Sequence, residues 1–317
     1  MRPPSELPAE LGDGPFSVAD ARQRGVNSGR LRRSDLARPF HGVRAPVGRG
    51  PSPAPISDAD RWARIRAAAR TRAYDYAVRM PSDQFFSHAT AALLHGLPLP
   101  ARLLERSIVD VGTSIRTRRR RGKGVRGHLI PLDRVRVVSV GHLAVASAVD
   151  AWVQLSTVLT LDELIIIGDS LVRRQRPPAT MAELHVAVAR HAGLPGACRL
   201  REALALVRPR TDSAKETVLR LLIVRAGLPE PEVNLTLVNR YGAFMALGDL
   251  AYLRYKVLIE YDGGQHREDE RQFHRDIDRL DEPMEEGWRV IRVNKSHSPR
   301  AIIARIRTAL LDRGWIP

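Results

Sequence analysis

The chain has 317 residues, 44% of them hydrophobic, which allows two or three domains with real cores and excludes wholesale disorder. No apolar run reaches the roughly 18 residues that span a bilayer, the opening MRPPSELPAELGDG lacks a signal peptide's apolar stretch, and the single cysteine, Cys198, makes no internal disulfide, so a cytoplasmic protein without a membrane partner is expected. The net charge of +16 lies wholly in residues 1–210, with 34 basic against 18 acidic side chains, while residues 211–317 hold 17 of each; such a field favours a polyanionic partner, most simply nucleic acid.

The expected fold class is α+β and multidomain. Residues 1–50 read as a small winged helix-turn-helix. Ser17 is placed to cap a first helix that ends at Gly25, and Asn27 or Ser28 to cap a second, SGRLRRSDL, which carries Arg30, Arg32 and Arg33. ARPFHGVRAP then suggests a short hairpin. A basic second helix suits a reader of the major groove, where side chains meet phosphates and base edges; a helical cap packed on the next domain is the alternative.

GRGPSPAPISD, at 48–58, is a linker composition. A basic, mixed α/β middle domain is expected over 58–205. DRWARIRAAARTRAYDYAVRM and SHATAALLHG read as helices, RSIVDVG and GHLIPL as strands. Between these strands lies RTRRRRGKGVRG, with Arg118, Arg119, Arg120, Arg121 and Lys123 and no acidic residue. Its charge density points to phosphate contact, against the alternative of a solvated turn. Thr160 with Glu163 and Thr180 with Glu183 are capping boxes that open two further helices.

The last domain is expected over 206–317. DSAKETVLRLLIVRAG is an amphipathic helix, followed by strands at VNLTLV, ALGDLAYL and YKVLIEYDG, a charged helix, a strand at WRVIRVN and a final helix. Glu260 and Asp262 are two apart on a strand, so they share a face that is otherwise apolar. Two such carboxylates repel each other and are costly unless a cation or hydrogen bonds compensate. A hairpin brings Asp249 beside Glu260. Three hard oxygen donors, Asp249, Glu260 and Asp262, describe a Mg²⁺ or Mn²⁺ site, and His266 follows the Gly263–Gly264 turn as a base or water-orienting group. Lys256, placed on the same strand four residues before Glu260, is too far for shared duty.

GDLAY, KVLIEYDGGQH, a helix with RDIDR, and EEGWRVIRV together resemble an actinobacterial Vsr-like endonuclease domain of the PD-(D/E)xK superfamily, over about residues 205–300. The front of the chain is similar to the AbiEi-like antitoxin winged-helix regions, through HGVRAP and SHATAALLHGLPLP. The first resemblance implies a restriction-endonuclease-like α/β/α domain, with Asp249 and Glu260 as metal ligands, Asp262 as a third acid, His266 as the histidine of the strand motif and Glu216 as the helical acid. Glu216 is also three residues from Ser213, where it completes a capping box. Arg275 and Arg279 match the helix motif, as phosphate ligands or as i,i+4 partners on a solvated face. The superfamily's lysine position, two after Glu260, holds Asp262; the Vsr-like group lacks that lysine too.

The expected function is a metal-dependent DNA endonuclease or nickase with a basic DNA-binding front half. An RNA substrate shares every one of these features. The alternative is an antitoxin-like transcriptional regulator on an inert nuclease fold, with a toxin or repair partner left open.

Overall fold

Phe16, Ala21, Val26, Leu31 and Leu36 recur at intervals that let a short segment close on itself, and with Leu11 they form one small core. Around it lie β1 (Phe16–Ser17), α1 (Val18–Gln23), β2 (Leu36–Ala37) and β3 (Val43–Pro46), with the antiparallel strands ordered β1-β3-β2. Ser17 caps α1, its Oγ accepting from the Asp20 amide at 3.0 Å. The second helix expected over SGRLRRSDL does not form. Only a 3-10 turn, Arg30–Arg32, is present. Asn27 Oδ1 accepts from the Arg30 amide at 2.9 Å, and the Arg30 guanidinium bonds both oxygens of Asp35.

The computed structural model describes residues 5–48, 58–116, 121–262 and 283–317. The chain is α+β and divides into two compact units, one running through Leu159 with Val186–Ala197, the other comprising Thr160–His185 and Cys198–Pro317.

In the first unit, α2 (Asp58–Ala77) packs against the N-terminal segment, with the Phe40 and Tyr76 rings edge to face at 5.3 Å. The chain continues through β4 (Gln84–Phe86), α3 (His88–Leu94), α4 (Ala101–Leu104), β5 (Val109–Thr113), β6 (Arg121–Gly122), β7 (Val125–Leu129), β8 (Val137–Val140), β9 (Leu143–Ala146) and α5 (Ala148–Gln154). The six strands form one mixed sheet, β6-β7-β5-β4-β9-β8. β5 is buried along its whole length, Asp110 and Thr113 included.

The two capping boxes open α6 (Leu161–Leu171) and α7 (Met181–Arg190). With α8 (Ala197–Leu206) and α9 (Ala214–Arg225) they complete the helical part that precedes the C-terminal sheet. α6, expected in the middle domain, belongs to the second unit. The reason is a buried ion pair: Asp169 of α6, fully buried, accepts from Arg220 of α9 at 2.9 Å, from Thr217 at 2.8 Å and from the Arg208 amide at 2.7 Å. Burial raises the Asp169 carboxyl above the usual range, and Arg220 opposes that shift.

β10 (Glu232–Val238), β11 (Phe244–Tyr252), β12 (Val257–Asp262) and β13 (Arg289–Asn294) form a sheet in that order, antiparallel except for the parallel β12–β13 pair. α9 and α10 (Pro299–Leu311) cover one face. Leu219, Ile223, Ile302 and Ile306 pack there on Leu250, Val257, Ile259 and Ile291. Residues of opposite parity, Ala251 and Leu258, pack with Trp288 on the other face. No helix among the described residues is long and apolar enough to cross a membrane.

Candidate active site

β11 and β12 pair antiparallel from Tyr252↔Val257 to Leu250↔Ile259. The next rung sets Asp249 against Glu260, and here side chains replace the backbone ladder. The Tyr261 amide donates to Asp249 Oδ2 at 2.8 Å, and the Asp249 amide donates to Glu260 Oε1 at 3.2 Å. The two strands therefore part with one carboxylate wedged on each side, and each carboxylate is oriented by a main-chain N–H.

The register extends this rung across the whole sheet. Val233↔Leu250 and Leu235↔Gly248 place Asn234 opposite Asp249, and Glu260 pairs with Arg292. Asn234, Asp249, Glu260 and Arg292 thus form one row. Glu260 alternates with Ile259 and lies on the face away from α9 and α10, whereas the alternation breaks at Asp249, with Leu250 packed under α9 and Gly248 against Leu258 on the other face. Gly248 allows the close approach this requires: a Cβ there would lie 2.3 Å from Leu258 Cδ1 and 3.8 Å from a Glu260 oxygen.

Glu216 reaches the row from the first turn of α9. It is 5% exposed, and its Oε2 accepts from Asn234 Nδ2 at 2.7 Å and from the Asp212 amide at 2.9 Å. Ser213 does cap the helix, accepting from the Glu216 amide, but the Glu216 carboxylate is turned to Asp212 and Asn234. Burial pushes this carboxyl above the usual glutamate range. The Asp212 bond pulls it back, and the charge of Asp249 pushes it up again. Asn234 has a left-handed backbone, φ 47°, which asparagine tolerates better than most residues.

Asp262 ends β12 on the face of Glu260 and is exposed. His266, Arg275 and Arg279 lie outside the described residues, as do Arg118, Arg119 and Arg120. Arg121 begins β6, and Lys123 is exposed in the turn that follows. Lys256 is not on the strand. It takes a left-handed conformation, φ 47°, before β12 begins, and its Nζ donates to the Glu286 carbonyl at 2.8 Å.

In the N-terminal segment, Arg32 and Arg33 are exposed, whereas Arg30 is a structural clasp. Its side chain is 9% exposed, bonded to both Asp35 oxygens at 3.0 and 2.7 Å and to the Ser5 carbonyl at 2.6 Å. That geometry corrects the expectation of a nucleic-acid contact at Arg30.

Asp249 and Glu260 are adjacent hard oxygen donors, and this donor set fits a Mg²⁺-type ion that keeps much of its water and takes only one or two protein carboxylates. Among the described residues no group of three His, Cys, Asp or Glu side chains is disposed to hold a metal. Asn234 and Arg292 were missed from the sequence, although Arg292 stands in the EEGWRVIRV motif. Arg210 was missed too. Its Nη2 donates to the Asn234 carbonyl at 3.2 Å, beside a hollow of about 300 Å³ lined by Arg208, Glu230 and Asn234.

No family model and no solved structure matches the chain. It is 28% identical over 169 residues to two uncharacterized proteins of Mycobacterium tuberculosis, one from each of two strains. The aligned stretch takes in 52% of this chain and 61% of each relative, so the chain spans about three fifths of the length of these curated relatives.

Proposed function

We propose that the protein is a metal-dependent endonuclease or nickase acting on DNA, on a restriction-endonuclease-like C-terminal sheet, with the basic residues of the front half holding the nucleic acid. The observation that carries this reading is the apposition of Asp249 and Glu260 where β11 and β12 part. Two carboxylates are held side by side there by backbone amides, which leaves them poised for a cation rather than for each other. The resemblance of GDLAY, KVLIEYDGGQH and EEGWRVIRV to Vsr-like endonucleases, in which these two acids stand, supports it.

In this reading Asp249 and Glu260 hold the divalent ion. When bound, such an ion supplies charge stabilisation for a phosphodiester and activates water. Arg292, beside Glu260 on β13, faces the phosphate's negative charge. Glu216, bonded to Asn234, feels the charge of Asp249 and adds a carboxylate near the centre. His266 would orient the attacking water, as the strand motif implies.

A second reading, an antitoxin-like DNA-binding regulator on an inert nuclease fold, is favoured by the exposure of Asp262 and the want of a third ligand among the described residues. The two separate on incubation of the whole chain with supercoiled plasmid, mismatched duplex and structured RNA, each with Mg²⁺, Mn²⁺ or EDTA. Cleavage of any DNA that needs the metal supports the nuclease. Cleavage of RNA alone changes the substrate class, and binding without cleavage supports the regulator.

A further inference from the structure

A second polar group lies in the first unit, on one face of the six-stranded sheet. β5 and β7 are parallel, with Asp110 paired to Arg126 and Gly112 to His128, so Asp110, Arg126 and His128 project from the same face. His128 Nε2 lies 2.8 Å from Asp110 Oδ1, and both side chains are mostly buried. His88, the first residue of α3, stacks its ring on that of His128 with centroids 3.6 Å apart. Its backbone is left-handed, φ 46°, an uncommon state for a residue with a side chain. It is kept there by the Gln154 side chain, which accepts from the His88 amide at 2.8 Å, and by Ser87, whose Oγ is 3.1 Å from Nδ1.

These groups line a pocket of about 170 Å³ together with Arg106 and apolar walls from Leu103 and Ile108. Among the described residues neither Arg106 nor Arg126 is in an ion pair, although both are exposed at the pocket. The local field is positive. Burial holds the His88 imidazole well below the usual histidine range, and the charges of His128 and Arg126 lower it further.

The Asp110 carboxylate is bonded to His128, and the two guanidiniums form no ion pair with it. A phosphomonoester carries a charge of about −1.5 to −2 near neutral pH and three acceptor oxygens, a match for two arginine forks. A phosphodiester carries a single charge and continues in both directions, so it needs an open groove, whereas a pocket receives an end. We infer that this pocket binds a terminal phosphate group, with Arg106 and Arg126 as its ligands, the His128 ring held in place by Asp110, and the His88 ring as its floor. The phosphate is that of a free nucleotide or of a phosphorylated strand end.

The test is calorimetric titration of the whole chain, at constant ionic strength, with inorganic phosphate, adenosine 5′-monophosphate, adenosine, and one short DNA strand bearing either a 5′-phosphate or a 5′-hydroxyl. Phosphate-bearing probes should bind more tightly than their unphosphorylated counterparts. Arg106→Ala and Arg126→Ala should each weaken that binding by about tenfold, and Arg300→Ala, exposed in the C-terminal third, should not. Both pocket arginines are exposed, so melting should stay near wild type and report intact folding. Preference for the monophosphate assigns the site to a free nucleotide, and preference for the phosphorylated strand assigns it to a nucleic-acid end. Equal binding of phosphorylated and unphosphorylated probes, or arginine variants that bind within about twofold of wild type, overturns the inference.

Discussion

Glu216 is the residue whose environment most directly ties stability to the candidate centre. Its carboxyl is buried and faces the charge of Asp249, so its folded-state pKa lies above the ordinary glutamate value of 4.5. A raised acid favours the folded state below its unfolded pKa, and that contribution is lost as pH rises through the folded pKa. Glu216→Gln removes the titration while keeping an acceptor for Asn234. The melting-temperature gain of this variant over wild type should therefore grow as pH rises above about 4.5 and then level off. A difference that does not vary with pH would show that burial and Asp249 place no strain on this carboxylate.

Arg30 makes the contrasting prediction. Because it clasps Asp35 and the Ser5 carbonyl, Arg30→Ala should lower stability by roughly 1–3 kcal/mol and leave DNA affinity nearly unchanged at a temperature where the variant is folded; Arg32→Ala should do the reverse. Melting curves and binding isotherms on the two variants decide between clasp and contact. That Asp249 stands beside Glu260 could be read from the sequence because a hairpin between their two strands fixes their separation. Asn234 could not. Its left-handed backbone breaks the alternation of VNLTLV, and its partner Glu216 comes from a different element. The role of Arg30 was hidden for the same reason, since a basic run looks alike whether its members face solvent or an internal carboxylate.

At the scale of elements, helix caps and strand periods were legible because they are local: the capping boxes of α6 and α7 and all four strands of the C-terminal sheet lie where their patterns place them. The grouping of α6 with α9 was not, because it depends on Asp169 meeting Arg220, 51 residues away. That pair carries a stability prediction. Arg220 is 1% exposed and also bonds Glu230 at 2.8 Å, so Arg220→Ala leaves buried charge unpartnered and should cost about 3–5 kcal/mol by chemical denaturation. Asp169→Asn with Arg220→Met, which removes both charges and keeps most of the volume, should recover a large part of that loss. A double variant no more stable than Arg220→Ala would show that the geometry of the bonds, rather than stranded charge, dominates. Gly248 makes a smaller claim of the same kind. Gly248→Ala drives a methyl into Leu258 beside Glu260, so it should lower stability by about 1–3 kcal/mol and disturb the carboxylate row more than its size suggests.

Over the whole molecule, the proposed function assigns binding to residues 1–210, which hold the net charge of +16, and chemistry to the neutral C-terminal third. Affinity for DNA should fall steeply with salt, by a slope of about 0.9 per phosphate contacted, and replacing Arg118, Arg119, Arg120 and Arg121 with alanine should flatten that slope without altering base preference. Changes at Asp249 or Glu260 should leave it alone, because removing a carboxylate from the centre takes away no phosphate ligand. The measurement that bears most directly on the proposed centre is Mn²⁺-dependent nicking of supercoiled plasmid by wild type, Asp249→Asn and Glu260→Gln, with melting followed in EDTA. Both variants preserve size and an acceptor for the amide that each carboxylate holds, so each should melt at or above wild type in EDTA while nicking falls by orders of magnitude. Variants that nick at the wild-type rate, or a wild type that shows neither metal-dependent nicking nor a Mn²⁺-induced rise in melting temperature, would contradict a catalytic cation site at this rung.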